Sequence, residues 1–160
     1  MRRPAPGRAG AGAGVLASLA VAVAGCGGTT TATPSFSAIA NTICANADAE
    51  IVALPPERRS LVSLARAARR ELPIVRNELA QLSELTAPAS KAREFASALA
   101  STRRELVLVP RLIAAVHADN ASRIATVALA ADEADMQAKT AMTSLGLGAC
   151  AREVVPRGSR

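Results

Sequence analysis

Four runs of apolar residues, each repeating at three- and four-residue steps, constrain this 160-residue chain more than any other feature. Such steps line up side chains on one face of a helix, whereas a strand alternates them at every second residue. The first run, Ile39, Ile43, Ala47, Ile51 and Leu54, stops at Pro55-Pro56 and predicts a helix of about sixteen residues, because proline cannot continue the helical ladder. The second, Leu61, Leu64, Ala68, Leu72, Val75, Leu79, Leu82 and Leu85, is a near-heptad stripe with Ser60 as its N-cap, suited to packing at a shallow angle. Thr86-Ala87-Pro88 separates it from a third run, and Pro88 suits the first turn of that helix, where its missing N–H is not needed. The third stripe is Phe95, Leu99, Thr102, Leu106, Val109, Ile113 and Val116. Asp119 or Asn120 caps a fourth helix that presents Ile124, Val127, Ala128, Ala131, Ala134, Ala138, Met142 and Leu145 and ends at Gly146 as its C′ residue.

Short connections make successive helices antiparallel, so the fold class is all-α, an antiparallel up-down-up-down four-helix bundle over residues 36–151. The alanines of the first and fourth stripes predict that those two helices approach closely. Pro73 and Pro110 fall inside the second and third helices, where each removes a hydrogen bond and bends the helix. A bend that wraps the helix around its core is the expected meaning; a functional cavity is the alternative.

Ahead of the helices, Arg2, Arg3 and Arg8 precede an apolar run from Val15 to Ala24 that ends in Val23-Ala24-Gly25-Cys26. A basic stretch, a short apolar stretch and small residues describe an export signal, and the run is about half the roughly twenty apolar residues that a membrane span needs. Cysteine directly after Val-Ala-Gly resembles the lipobox of bacterial lipoproteins. The resemblance implies a signal peptide over residues 1–25, acylation of Cys26, a tether over residues 26–35, and attachment to a cell membrane on its extracytoplasmic side. Residues 152–160 lack periodicity, carry Pro156 and Gly158, and read as a disordered tail.

With Cys26 assigned to lipid, Cys44 and Cys150 remain. An exported chain favours their oxidation, and an up-down-up-down bundle brings the start of the first helix to the end of the fourth, so a Cys44–Cys150 disulfide is expected. The alternative is a pair of free or metal-binding thiols, but two cysteines and a single histidine make a poor metal set.

Several segments together resemble small uncharacterised lipoproteins of actinobacteria. They are Phe36-Ser37-Ala38-Ile39-Ala40-Asn41-Thr42-Ile43-Cys44, Ile51-Val52-Ala53-Leu54-Pro55, Leu72-Pro73-Ile74-Val75, and Leu145-Gly146-Leu147-Gly148-Ala149-Cys150-Ala151. The resemblance covers most of the chain after the signal. It implies an exported lipoprotein with a helical, cysteine-bridged domain, and it brings no reaction, ligand or catalytic residue with it.

Composition narrows function further. The formal charge of +6 is carried at the ends, by Arg2, Arg3 and Arg8 and by Arg152, Arg157 and Arg160 against Glu153, so the helical body is nearly balanced. That, with no Trp or Tyr and only Phe36 and Phe95, argues against nucleic acid. His117, the one histidine, closes the third helix, where a cation favours the dipole. Met136 and Met142 read as core filler, because the Cys-x-x-Cys-His haem motif is absent. Asp132, Glu133 and Asp135 read as a solvated face, because a di-metal bundle would need Glu-x-x-His pairs. No cofactor is expected, and no enzyme.

A sharper expectation concerns arginine. If the second and third helices pair about Thr86 and Ala87, Arg69 and Arg70 face Arg104 and Arg103, a grouping suited to anion recognition. Two function classes follow. The leading one is a non-enzymatic interaction or structural module presenting a helical surface to an envelope partner. The alternative is a small-ligand or anion-binding domain that uses the arginine patch or a cavity at Pro73 and Pro110. A void-free core favours the first, and a pocket of roughly 300 Å3 or more favours the second.

Overall fold

The computed structural model describes residues 33–56 and 60–151. The expected export signal, Cys26, the expected tether up to residue 32 and the expected tail over 152–160 lie outside the described residues. Four helices, α1 (Phe36–Ala53), α2 (Leu61–Ser83), α3 (Ala92–His117) and α4 (Ala121–Ser144), form an antiparallel all-α bundle, with no strand among the described residues. No helix among them is long and apolar enough to cross a membrane.

Local chemistry sets most helix ends. The Ser35 hydroxyl accepts from the Ala38 N–H at 3.2 Å, Ser60 from Ser63 at 3.1 Å, and Asn120 Oδ1 from Arg123 at 2.9 Å. Each satisfies an amide that has no partner inside its helix. Helix α4 closes on Gly146, whose φ of 77° lets its N–H reach Thr143 O at 3.0 Å while the Leu147 N–H reaches Met142 O at 2.8 Å. That paired closure delivers Leu147 to the core with no exposed surface. Helix α3 ends the same way with Asp119 at φ 50°, and Asn120 both finishes that turn and caps α4. Pro88 departs from expectation. It starts the turn that closes with Lys91 N–H on Pro88 O at 2.8 Å, and α3 begins only at Ala92.

The main core lies where α1 and α3 begin and α2 and α4 end. Ala40, Cys44, Leu82, Phe95, Ala98, Leu99, Met142, Leu145 and Leu147 pack together there, and Phe36 sets its ring edge-to-face on Phe95 with centroids 5.0 Å apart. The buried face of α1 is Ala40, Cys44, Ala47 and Ile51, so Ala47 and Ile51 fall as expected while the first half of the stripe is turned by one position and Ile39 and Ile43 are only half-buried. Small residues occupy the tightest line because the segment after α4 is cross-linked against it. On α2, Leu61 and Leu64 are each 59% exposed, contrary to their place in the expected stripe.

Helix backbones approach within 8 Å only between chain neighbours, α1 with α2, α2 with α3 and α3 with α4. The close approach predicted for α1 and α4 is therefore absent. Alanine contacts bury little apolar area, and closing these helices along their length would press Asp48 towards Asp132 and Asp135, carboxylates that are costly to desolvate. Helix α1 is tied instead to the turn that follows α4.

Candidate functional site: an acidic cavity between the helices

That tie is built from one side chain and one covalent bond. Asn41 donates to Gly146 O at 3.2 Å and accepts from the Ala149 N–H at 2.8 Å, which fixes the segment carrying Cys150. Cys44 and Cys150 are disulfide-bonded, with Cα atoms 5.0 Å apart, across 106 residues. Lys91 Nζ adds a bond to Leu145 O at 2.7 Å, placing a cation on the exposed carbonyls at the end of α4. The expected pairing of Cys44 with Cys150 and the end of the bundle where it falls are both present.

Below this sealed end the helices line a partly open cavity of about 420 Å3. Its walls include Ile51 of α1, Val75, Leu79 and Leu82 of α2, Val109 and Leu112 of α3, and Ala138 and Met142 of α4, with Ala149 and Cys150 at the closed end. Val75 and Val109 each lie within two residues of the helix-interior prolines, Pro73 and Pro110. Five carboxyl groups enter the lining, Asp48, Glu78, Glu105, Asp132 and Asp135, with Lys139 as the one basic group and no arginine.

The carboxyl groups are placed by helical spacing. On α2, Val75, Glu78 and Leu82 follow one face, and on α3 Thr102, Glu105, Val109 and Leu112 do the same. Glu78 and Glu105 therefore interrupt otherwise apolar faces. Burial raises the Glu78 carboxyl to about 7, and Asp48 and Glu105 push in the same direction. Burial also raises Glu105 to about 7; Asp135 and Asp132 add to the effect, while Lys139 opposes it. Lys139 sits 2.7 Å from Asp135, so its charge is largely committed there. Glu71, higher on α2, is raised by burial against the opposing charge of Arg70.

The Glu78 carboxylate and the sulfurs of Cys44 and Cys150 lie within 4.8 Å of one another, the one such cluster of three ligand-type groups among the described residues. Both sulfurs belong to the disulfide, which removes the thiolates a soft metal would use. The remaining carboxylates are spread along the lining.

The other residues singled out in the sequence fall elsewhere. Arg103 Nη2 donates to Ser83 Oγ at 2.8 Å on α2, and Arg104 Nη1 donates to Gln137 Oε1 at 3.0 Å on α4, so the two point to different neighbours. Ser83 stands thirteen residues beyond Arg70 on α2, about 20 Å along the axis at 1.5 Å per residue. Arg69 and Arg70 are thus not opposite Arg104 and Arg103, and the expected four-arginine grouping is not assembled. The register turns on the long connection before α3, which the assumption of a symmetric turn at Thr86 and Ala87 missed. Asp132 is exposed, as a solvated face requires, and Asp135 is half-buried; both border the cavity, while Glu133 accepts from Gln137 Nε2 at 3.1 Å. His117 is exposed at the end of α3, Met142 is core, and Met136 is 66% exposed.

A shallow groove between α3 and α4, beside Met136 and Gln137, holds one carboxylate, Glu94, which already accepts from Ser144. That groove is similar in volume, about 440 Å3, so the cavity is distinguished from it among the described residues by its carboxyl groups from all four helices and its deeper apolar walls. Compared with protein-family models, curated proteins and solved structures, the chain matches none.

Proposed function

We propose that this protein is a non-enzymatic binding domain that holds a small molecule in the cavity between its four helices, and that Cys26 anchors it by lipid to the outer face of a membrane. The observation that carries the first half is the cavity. Its volume of about 420 Å3 falls within the roughly 300–1,000 Å3 typical of small-molecule sites, and it combines apolar walls with a few charged groups as such sites do. His117, the lone histidine, is exposed at the end of α3 and is not among the residues that line the cavity. The Cys44–Cys150 disulfide supports an oxidising, exported setting.

Filling the cavity tests the binding reading. In protein isolated from its native envelope, native mass spectrometry is expected to find a bound small molecule in the wild type and none in Val75→Phe, whose added ring occupies the same space. Wild-type protein that carries no small molecule, and whose stability no small molecule alters, would count against it. The anchor has its own test: Cys26→Ala is expected to release the protein from the membrane pellet, and retention after a carbonate wash would refute lipid attachment.

A second reading, docking of an envelope protein, is favoured by the exposed apolar residues Leu61, Val62 and Leu64 at the start of α2. Leu61→Asn with Leu64→Asn is then expected to abolish a specific cross-link that Val75→Phe leaves intact.

A further inference from the structure

The cavity carries a sign, and the sign defines the chemistry of what it holds. We infer that its ligand is an organic ammonium ion on an apolar body, with the cationic head between Glu78 and Glu105 and the body along Val75, Leu79, Val109 and Leu112. This inference rests on the cavity being a binding site.

Three features point to that class. The lining holds five carboxyl groups against one ammonium, and that ammonium lies 2.7 Å from Asp135, so an anion entering between Glu78 and Glu105 meets like charge. A compact metal ion needs several donors converging on one point. The one cluster of three that converges among the described residues is Glu78 with the two disulfide sulfurs, and no carboxylate of α1, α3 or α4 joins it within 4.8 Å. An ammonium head, with three N–H donors pointing in different directions, can bridge two carboxylates on facing helices without a full coordination shell. The apolar walls add the third feature, because they offer a bare ion nothing while they stabilise a hydrocarbon body removed from water.

Binding of this kind is coupled to protons. Asp48 faces Glu78 from α1 and Glu105 faces it from α3, while Asp132, Asp135 and Lys139 face Glu105 from α4. With both glutamates near 7, an ammonium ion must displace protons below that pH and meets preformed carboxylates above it.

The test uses three probes of equal chain length on the purified full-length protein: n-octylammonium, n-octanol and octanoate, each followed by calorimetry, with calcium chloride alone as a fourth arm. At pH 8, octylammonium is expected to bind at least tenfold more tightly than octanol, and octanoate more weakly than either. Octylammonium affinity is expected to fall at least tenfold from pH 8 to pH 5.5, and the Glu78→Gln, Glu105→Gln double variant to bind octylammonium and octanol alike at both pH values. Octanol or octanoate binding as tightly as octylammonium to the wild type would overturn the cationic assignment while leaving a binding cavity in place. Calcium competing with octylammonium at micromolar concentration would overturn it in favour of a metal site. If no octyl probe binds and native mass spectrometry also finds nothing, the binding reading itself falls. The wild-type comparison among probes requires no substitution, and the amide variants match the carboxyl shape, so loss of folding does not obscure the result.

Discussion

The two halves of the bundle interior differ although the same four helices build both. At the end where α1 begins and α4 finishes, residues such as Cys44, Leu145 and Leu147 are almost wholly buried, and Asn41, Lys91 and the disulfide lock the closing turn in place. Directly beneath it, with Glu78 within 4.8 Å of both disulfide sulfurs, the helices line a cavity of about 420 Å3 that carries carboxyl groups. Apolar faces close where their side chains are neutral and a cross-link holds them, and they stay apart where closure would desolvate like charges. The packed core and the acidic cavity thus adjoin in one small fold and share Leu82, Met142 and Cys150.

The largest effect should come from opening the sealed end. Reducing Cys44–Cys150, or replacing both residues by serine, is expected to destabilise the domain by about 3–5 kcal/mol, given the length of the loop it closes. Helical circular dichroism should survive under native conditions, because the apolar faces form the helices. Hydrogen exchange sharpens the contrast: the amides of Leu147 and Ala149 should lose protection before those of α2 and α3. Loss beginning around the cavity would break the division proposed here.

Side-chain truncation probes the same contrast with less force. Leu147→Ala, at a site with no exposed surface, is expected to cost about 2–4 kcal/mol in chemical denaturation. Leu64→Ala, at a site 59% exposed, should change stability by less than about 0.5 kcal/mol. Similar losses at both positions would mean that the first turns of α2 are covered in solution.

The acidic level should reveal itself through pH. Glu78 and Glu105 are raised from 4.5 to about 7 in the folded chain, so over that window the folded state keeps protons the unfolded state has released. Their protonation therefore favours folding fully below about pH 4.5, progressively less up to about 7, and no longer above it. After discounting for partial solvation, the combined loss between pH 5 and 8 is on the order of 1–3 kcal/mol. Thermal melts should record it as a falling midpoint, and the Glu78→Gln, Glu105→Gln variant should flatten the profile. A wild-type profile that rises through this window would contradict the burial of these carboxyl groups.

The smallest effect concerns backbone alone. Gly146 has φ 77° and open space where a Cβ would stand, so Gly146→Ala carries only a conformational penalty, about 1 kcal/mol. Denaturant titration can resolve that value. A neutral result would mean that the turn delivering Leu147 and Cys150 tolerates another geometry.

Much of this architecture was legible in the chain. Ser60, Asn120 and Gly146 marked helix ends through local hydrogen bonding and backbone freedom, which need no knowledge of distant residues. Cys44 and Cys150 were predictable partners once the helices were taken as antiparallel neighbours. The site was not legible, although a signal was present: Glu78 and Glu105 interrupt apolar helix faces, and a charged residue in such a place marks either a rim or a cavity. The arginine grouping failed for a related reason. It assumed the register of α2 on α3 from the midpoint of a turn, and the extended connection through Pro88 and Lys91 displaces that register.

Sequence alone determined four helices, their order and most of their ends, because periodicity, capping and proline geometry act within a few residues. Only the tertiary structure decided that the backbone of α1 comes close to the turn after α4 and not to α4 itself, and that Asp48, Glu78, Glu105 and Asp135 share one cavity. The physical reason is that burial and like-charge repulsion depend on which faces meet across the bundle, and helical spacing specifies a face without specifying what will stand opposite it.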